Sequence, residues 1–275
     1  MRTRDQLYEH YKIERELAER LINSDRAERI KLYSSLYDEL FERVPHHPQL
    51  TTRDDHEALR ANIELQMELL SKFLRPDVTF MEIGAGDCLL SFEAARHVKR
   101  VYAIDVSRKV SEHSDVPDNF KLIISNGISI DVPPGSIDIA YSNQVIEHLH
   151  PDDVAEHLKN VHDALVKGGK YICITPHRFM GPHDISRYFE KEAKGFHIHE
   201  YTNRELHRLF AAAGFSSVRT HMRVKGRYSV IPGFLPRLIE SMLQPAPYNV
   251  RRKLSRTVFK NPLSIRLVAA KHNDI

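Results

Sequence analysis

The chain has 275 residues, 41% of them hydrophobic and 28% charged, with a formal net charge of +3. That length fits one enzyme-sized core with an appended lobe, and the composition excludes collagen-like, mucin-like and wholly disordered classes. The net charge is too small to imply nucleic-acid binding by the whole surface. No apolar run is long enough to cross a bilayer, and charged residues interrupt the start of the chain where a secretory signal needs an apolar stretch, so the expected address is the cytoplasm. Cys88 and Cys173 are the only cysteines, too few for a disulfide framework or a structural zinc site built from cysteine.

The first seventy residues predict helices. Leu32, Tyr33, Leu36, Tyr37, Leu40 and Phe41 share one helical face, as do Leu59, Ile63, Met67 and Leu70. Asp25 with Glu28 starts the first stripe, Pro45 and Pro48 end it, and residues 46–55 read as a polar loop. From residue 78 short runs rich in β-branched and aromatic residues predict strands at 78–83, 100–105, 120–124, 137–141 and 170–175. Between the last two lies a helix through Val154, Leu158, Val161 and Leu165, opened by Pro151 and two aspartates and closed by Gly168 and Gly169. Thr202 with Glu205 opens another helix, which ends near Gly214. Alternating strands and helices predict a mostly parallel α/β sheet covered on both faces. Two late strands, 217–224 and 264–270, predict an antiparallel hairpin at its edge, split by an insertion lying over the sheet. The expected organisation is an N-terminal helical lobe or lid (1–70), a Rossmann-like domain (71–224), a cap insertion (225–263) and a final core strand (264–275).

Glu82, Ile83, Gly84, Ala85, Gly86 and Asp87 sit where a strand ends and a helix begins. Glycines there permit a sharp turn and close approach of a ligand, and free N–H groups at the helix start can bind it. Asp105 ends the next strand, 21 residues after Gly84, where an acid can accept both hydroxyls of a ribose. Loop and acid together point to a nucleoside. A dinucleotide fingerprint requires a glycine or alanine three residues after Gly86, and Leu89 stands there. The negative charge of Glu82 repels a pyrophosphate and suits an ammonium or sulfonium.

On these motifs residues 70 to 220 resemble the class I S-adenosylmethionine-dependent methyltransferases, most closely the type 11, ubiquinone-biosynthesis-like small-molecule branch. The segment 137–149, with Ser142, Asn143, Gln144, Glu147 and His148, resembles that family's fourth strand and following turn, and 167–170 the hinge before the fifth. Cys88 stands where many members have a third glycine. The resemblance implies S-adenosylmethionine as cofactor. Glu82, Gly84, Ala85 and Gly86 would wrap its methionine and ribose, Asp105 with Val106 would bind the ribose, and Asn126 with Gly127 would take the adenine amino group through the Asn126 carbonyl oxygen. Asn143 would complete the site.

Methyl transfer from a sulfonium requires alignment and desolvation, and a hydroxyl acceptor also requires a base. The candidates at the strand ends are Glu147, His148, His177, His183 and Asp184, with the base expected among His148, His177 and His183. Each histidine has a structural alternative, as a turn anchor or an exposed loop residue. His197 and His199 could join His183 as metal ligands, but no recognised metal spacing is present, and no metal is expected. Tyr33, Tyr37, Arg178 and Arg187 are candidates for acceptor binding. Base methylation of nucleic acid is disfavoured, because the chain lacks both the Asn-Pro-Pro-Tyr turn and the Pro-Cys pair of such enzymes. The expected activity is methyl transfer to a small molecule or saccharide at a hydroxyl oxygen. The alternatives are an RNA or protein methyltransferase using the basic segment from Arg251 to Lys271, and a non-catalytic S-adenosylmethionine-binding module. The sequence indicates no oligomeric state.

Overall fold

In a computed structural model, residues 2–51, 56–107 and 115–273 are described. Residues 52–55 of the polar loop and the end of the final segment lie outside them. The N-terminal lobe comprises α1 (Arg4–Asn23), α2 (Arg26–Arg43), the single turn α3 (Pro48–Thr51) and α4 (His56–Leu70). Thr3 and Gln6 form a reciprocal capping box that starts α1, and Asp25 accepts from the Glu28 amide to start α2. The turn α3 lies inside the segment read as a loop.

Next come β1 (Thr79–Ile83), α5 (Leu89–Ala95), β2 (Arg100–Asp105), β3 (Phe120–Ile124), β4 (Ile137–Asn143), α6 (Pro151–Ala164) and β5 (Leu165–Thr175). The chain closes with α7 (Asn203–Ala212), β6 (Ser217–Val224), β7 (Arg227–Ile231), α8 (Phe234–Leu243), α9 (Tyr248–Arg256), α10 (Lys260–Leu263) and β8 (Ile265–Ala270). The eight strands form one sheet in the order β3-β2-β1-β4-β5-β8-β6-β7. Strands β1 to β5 pair in parallel, and β8, β6 and β7 add antiparallel pairings. The expected Rossmann-like sheet with an antiparallel edge is present. Its central strands are buried on both faces, which explains their continuous apolar runs.

Three details depart from the sequence reading. Helix α6 stops at Ala164, and β5 starts at once because Leu165 pairs with Ile137. A strand partner outweighs the helical periodicity that placed Leu165 on the helix. The late pair β6 and β8 is antiparallel, but β8 lies between β5 and β6. Residues 227–231, read as part of a cap, extend the sheet as edge strand β7.

The lobe is bolted to the sheet domain through α6. Arg29 on α2 makes a bidentate ion pair with Asp153, at 2.8 and 3.0 Å, and the Tyr33 hydroxyl donates to the same carboxylate at 2.9 Å. Both charged side chains are buried, so removing either would strand an uncompensated charge. Leu17, Leu21, Leu36 and Leu40 continue the core under the lobe.

Candidate active site

Where β1 and β2 reach their carboxyl ends the sheet opens into a cavity of about 670 Å³, within the range of ligand sites. The turn after β1 forms its floor. Gly84 adopts φ +71, and a Cβ there would collide with the Val145 side chain, so only glycine fits. Cys88 shares the left-handed region with φ 61, a conformation that favours glycine. It caps α5 without a side-chain hydrogen bond.

Asp105 is held toward this loop by backbone donors: the Gly86 amide reaches one carboxylate oxygen at 2.8 Å and the Ser107 amide the other at 3.0 Å. Burial raises its pKa, against the pull of those amides. Glu82 is buried at the end of β1 and accepts from the Ser91 hydroxyl at 2.6 Å. Burial pushes it up to about 8, so without a ligand it is mostly protonated at neutral pH. The standing negative charge expected from the sequence is therefore absent until a cation draws the proton off. Gly84, Ala85, Gly86, Val106, Gly127 and Asn143 all line the cavity. Asn126 does not. Its carbonyl oxygen accepts from the Ile128 amide, the Ser129 amide and the Ser129 hydroxyl, so the oxygen expected to hold adenine closes its own loop, and Ser125, Gly127, Ser129 and Ile130 face the cavity there.

The three candidate histidines separate. His177 is fully buried away from the cavity lining, its Nδ1 accepting from the Phe179 amide at 3.0 Å and its Nε2 donating to Glu240 at 2.9 Å. It bolts the loop after β5 to α8, and its expected catalytic role falls away because no face of the ring reaches the site. His148 lines the cavity, with Nδ1 2.8 Å from the Phe196 carbonyl and 3.0 Å from the Tyr37 hydroxyl. Burial and neighbouring His197 lower its pKa to about 3, which makes it a neutral ring and a poor proton acceptor. His183 also lines the cavity, with a side chain 30% exposed and Nδ1 3.3 Å from Glu200.

Sequence reasoning missed Glu200. One of its oxygens accepts from the His183 amide at 2.7 Å and from His197 Nδ1 at 2.8 Å, besides facing His183 Nδ1. Burial opposes its ionisation, but the two histidines outweigh burial and hold it down at about 2. His197 is lowered by burial, yet Glu200 and Glu147 raise it overall. A Cβ on Gly181 would collide with the same carboxylate, and that glycine was the one local signal that something packs closely there. Glu147 is wholly buried, with one oxygen accepting from the Thr175 hydroxyl at 2.8 Å; burial pushes it to about 7.

Of the acceptor candidates, Tyr33, Tyr37 and Arg187 line the cavity. The Tyr33 hydroxyl is taken by Asp153 and the His150 amide, so this residue offers only its ring. Arg187 stacks its guanidinium on Tyr188. Arg178 pairs with Glu205 at 3.1 Å and is absent from the lining; a carboxylate outside the site has claimed it.

A parallel sheet with a glycine turn after its first strand and an acid ending its second coincides with a match to the methyltransferase domain family over residues 52–220. The chain belongs to that family. It is a class I methyltransferase with S-adenosylmethionine as its methyl donor, and Gly86, with open space above it, together with Glu82 and Asp105, fits that group. No curated protein matches the methyltransferase. Among solved structures it is similar to the Haloferax volcanii complex between a methyltransferase activator and a methyltransferase, at 14% identity and a TM-score of 0.57, covering 82% of this chain and 96% of that one. It is similar to an S-adenosylmethionine-dependent methyltransferase of Mesorhizobium loti, at 16% identity and TM-score 0.52, over 75% and 98%. It is also similar to the cyclase SpnF, at 14% identity and TM-score 0.51, over 78% and 83%. At such identities the likeness is one of fold. Among the described residues no helix is long and apolar enough to cross a membrane.

Proposed function

We propose that the enzyme methylates a small molecule or saccharide at a hydroxyl oxygen. The observation that carries this reading is that Leu36, Tyr37, Leu40 and Phe41 of α2, with His47, line the same cavity as the glycine turn. A helical wall on the same cavity suits an acceptor that enters whole and is shielded from water, more than a polymer strand. The lining combines aromatic rings with histidines, which matches a hydroxylated acceptor.

When bound, S-adenosylmethionine would supply a methyl group on a positively charged sulfur, which would keep the C–S electron pair as the acceptor oxygen took the methyl. Asp105 would hold the ribose hydroxyls, and Glu82, once ionised, would meet the cationic end. His183 is the general base: Glu200 holds its Nδ1 side, leaving Nε2 to take the hydroxyl proton. His148 and His197 form the polar wall that orients the acceptor. The lobe 1–70 acts as the lid over a Rossmann-like domain 71–224, and 225–263 braces the loop after β5.

The test is to assay the purified chain with methyl-labelled cofactor against hydroxylated small molecules and saccharides, with RNA and protein acceptors in parallel. Label is expected in the small molecules, and His183→Ala should lower turnover roughly 10²- to 10⁴-fold without changing S-adenosylhomocysteine affinity. Transfer confined to RNA or protein would overturn the reading. So would cofactor binding with no transfer to any acceptor.

A further inference from the structure

Behind the polar wall formed by His148 and His197 lies a buried carboxylate, Glu147, that the proposed reaction does not use. Glu147, His148 and His197 each bring one potential ligand atom to a common region, and these atoms lie within 4.8 Å of one another. The structure assigns to this cluster a binding site for a divalent transition-metal ion of the zinc type.

Each member is held from behind. Glu147 has one oxygen fixed by the Thr175 hydroxyl, while its other oxygen, Oε1, is buried with no hydrogen-bond partner. An orphaned carboxylate oxygen carries a large desolvation cost that a cation would remove. His197 Nδ1 is committed to Glu200, leaving its Nε2 for coordination, while the His148 ring lies between the Phe196 and Gln144 carbonyls and would give up the Gln144 contact to bind an ion. Anchoring the second ring nitrogen on an oxygen is what orients a ligating histidine. The partner of His197 behind the site is Glu200, at 2.8 Å.

Two imidazoles and one carboxylate match catalytic zinc sites, which keep a further position open, and disfavour magnesium and calcium, which take oxygen ligands. Ligand atoms about 2.0–2.1 Å from a tetrahedral ion stand roughly 3.4 Å apart, so side-chain rotations moving these atoms by about 1 Å would complete the site. The second cluster of this kind, His10, Glu14 and His47, is already closed: His10 bonds Glu14 at 3.0 Å, and the Arg2 guanidinium lies 2.8 Å from its other nitrogen. In the Glu147 cluster the open position faces the cavity through His148 and His197. If the hydroxyl reading above holds, the ion would bind the acceptor oxygen there; the site itself does not depend on that reading.

Full-length protein freed of metal by a chelator should be titrated with zinc by calorimetry, and with cobalt(II) while following visible absorption. One equivalent of zinc should bind, and cobalt should give the d–d bands of a low-coordinate site. Glu147→Gln and His197→Ala should each weaken zinc binding at least ~100-fold, and Thr175→Val, which frees the carboxylate behind the site, by about 10-fold or more. His199→Ala, on the neighbouring half-buried ring, should leave it unchanged. S-adenosylhomocysteine binding by every variant establishes that it is folded. Absence of saturable zinc binding in the wild type, or zinc binding that survives Glu147→Gln and His197→Ala, would overturn the site, whatever the methyl acceptor proves to be.

Discussion

His177 donates a hydrogen bond from Nε2 to Glu240 at 2.9 Å, and the same carboxylate accepts from the Asn203 and Arg204 amides at the start of α7. Three segments far apart in sequence meet at that carboxylate: the loop after β5, the first turn of α7, and α8. A histidine standing just after a parallel strand, where catalytic groups collect, is here a structural bolt.

His177→Ala should therefore cost stability rather than chemistry. Removing one partner from a buried charged hydrogen-bond cluster costs about 3 kcal/mol. Urea unfolding followed by circular dichroism should show that loss, with S-adenosylhomocysteine affinity unchanged in the folded variant. Near-normal stability with abolished transfer would restore the ring to the active site.

Glu82 makes cofactor binding pH-dependent. Burial sets its pKa at about 8 in the ligand-free chain, and a cationic ligand favours the carboxylate. Affinity should rise with pH up to about 8, by at most about tenfold per unit, and level off above it. Binding at neutral pH should release a proton, visible as a dependence of calorimetric heat on the buffer's ionisation enthalpy, and Glu82→Gln should abolish that release. For the ligand-free fold the sign is opposite. The folded value lies above the ordinary 4.5, so Glu82 costs increasing stability as pH rises from there through about 8. Affinity flat across that window would show that Glu82 does not meet the cationic end.

Asp105→Ala should weaken S-adenosylhomocysteine binding by about 2–4 kcal/mol, because it removes charge-assisted bonds to two ribose hydroxyls. It also frees the Gly86 amide, which Asp105 holds at 2.8 Å, so the glycine turn should exchange its amide hydrogens faster in the variant. Unchanged calorimetric affinity would place the ribose acid elsewhere. NAD should give no binding heat in either protein.

The lid prediction divides the two segments outside the Rossmann-like domain. Residues 33, 36, 37, 40 and 41 line the cavity, and no residue from 225 to 263 does. Saturating ligand should slow hydrogen exchange in residues 30–45 and leave 225–263 at its ligand-free rate. Equal slowing of both, or no change in 30–45, would contradict that division.

What was legible in the sequence is what short-range rules govern. The bounds of β2 and β3, the caps at Asp25 and Thr202, the glycine turn and the acid at Asp105 follow from periodicity, capping chemistry and a spacing fixed by one strand-helix-strand unit. The glycine turn and Asp105, the part of the site proposed to hold the cofactor, belong to that local unit, so the cofactor could be read from neighbouring residues. The rest of the cavity lining is assembled from distant ones. Tyr37 meets His148 across 111 positions, and Glu240 reaches His177 across 63. Whether a histidine after a parallel strand turns into the cavity, as His183 does, or into the protein, as His177 does, depends on which carboxylate waits beside it. Glu200 and Glu240 occupy those places only because the loop after β5 and helix α8 pack there. The same packing sets the charge states: Glu82 and Glu147 are ordinary carboxylates in the sequence, and burial, joined by nearby carboxylates, raises them toward neutrality.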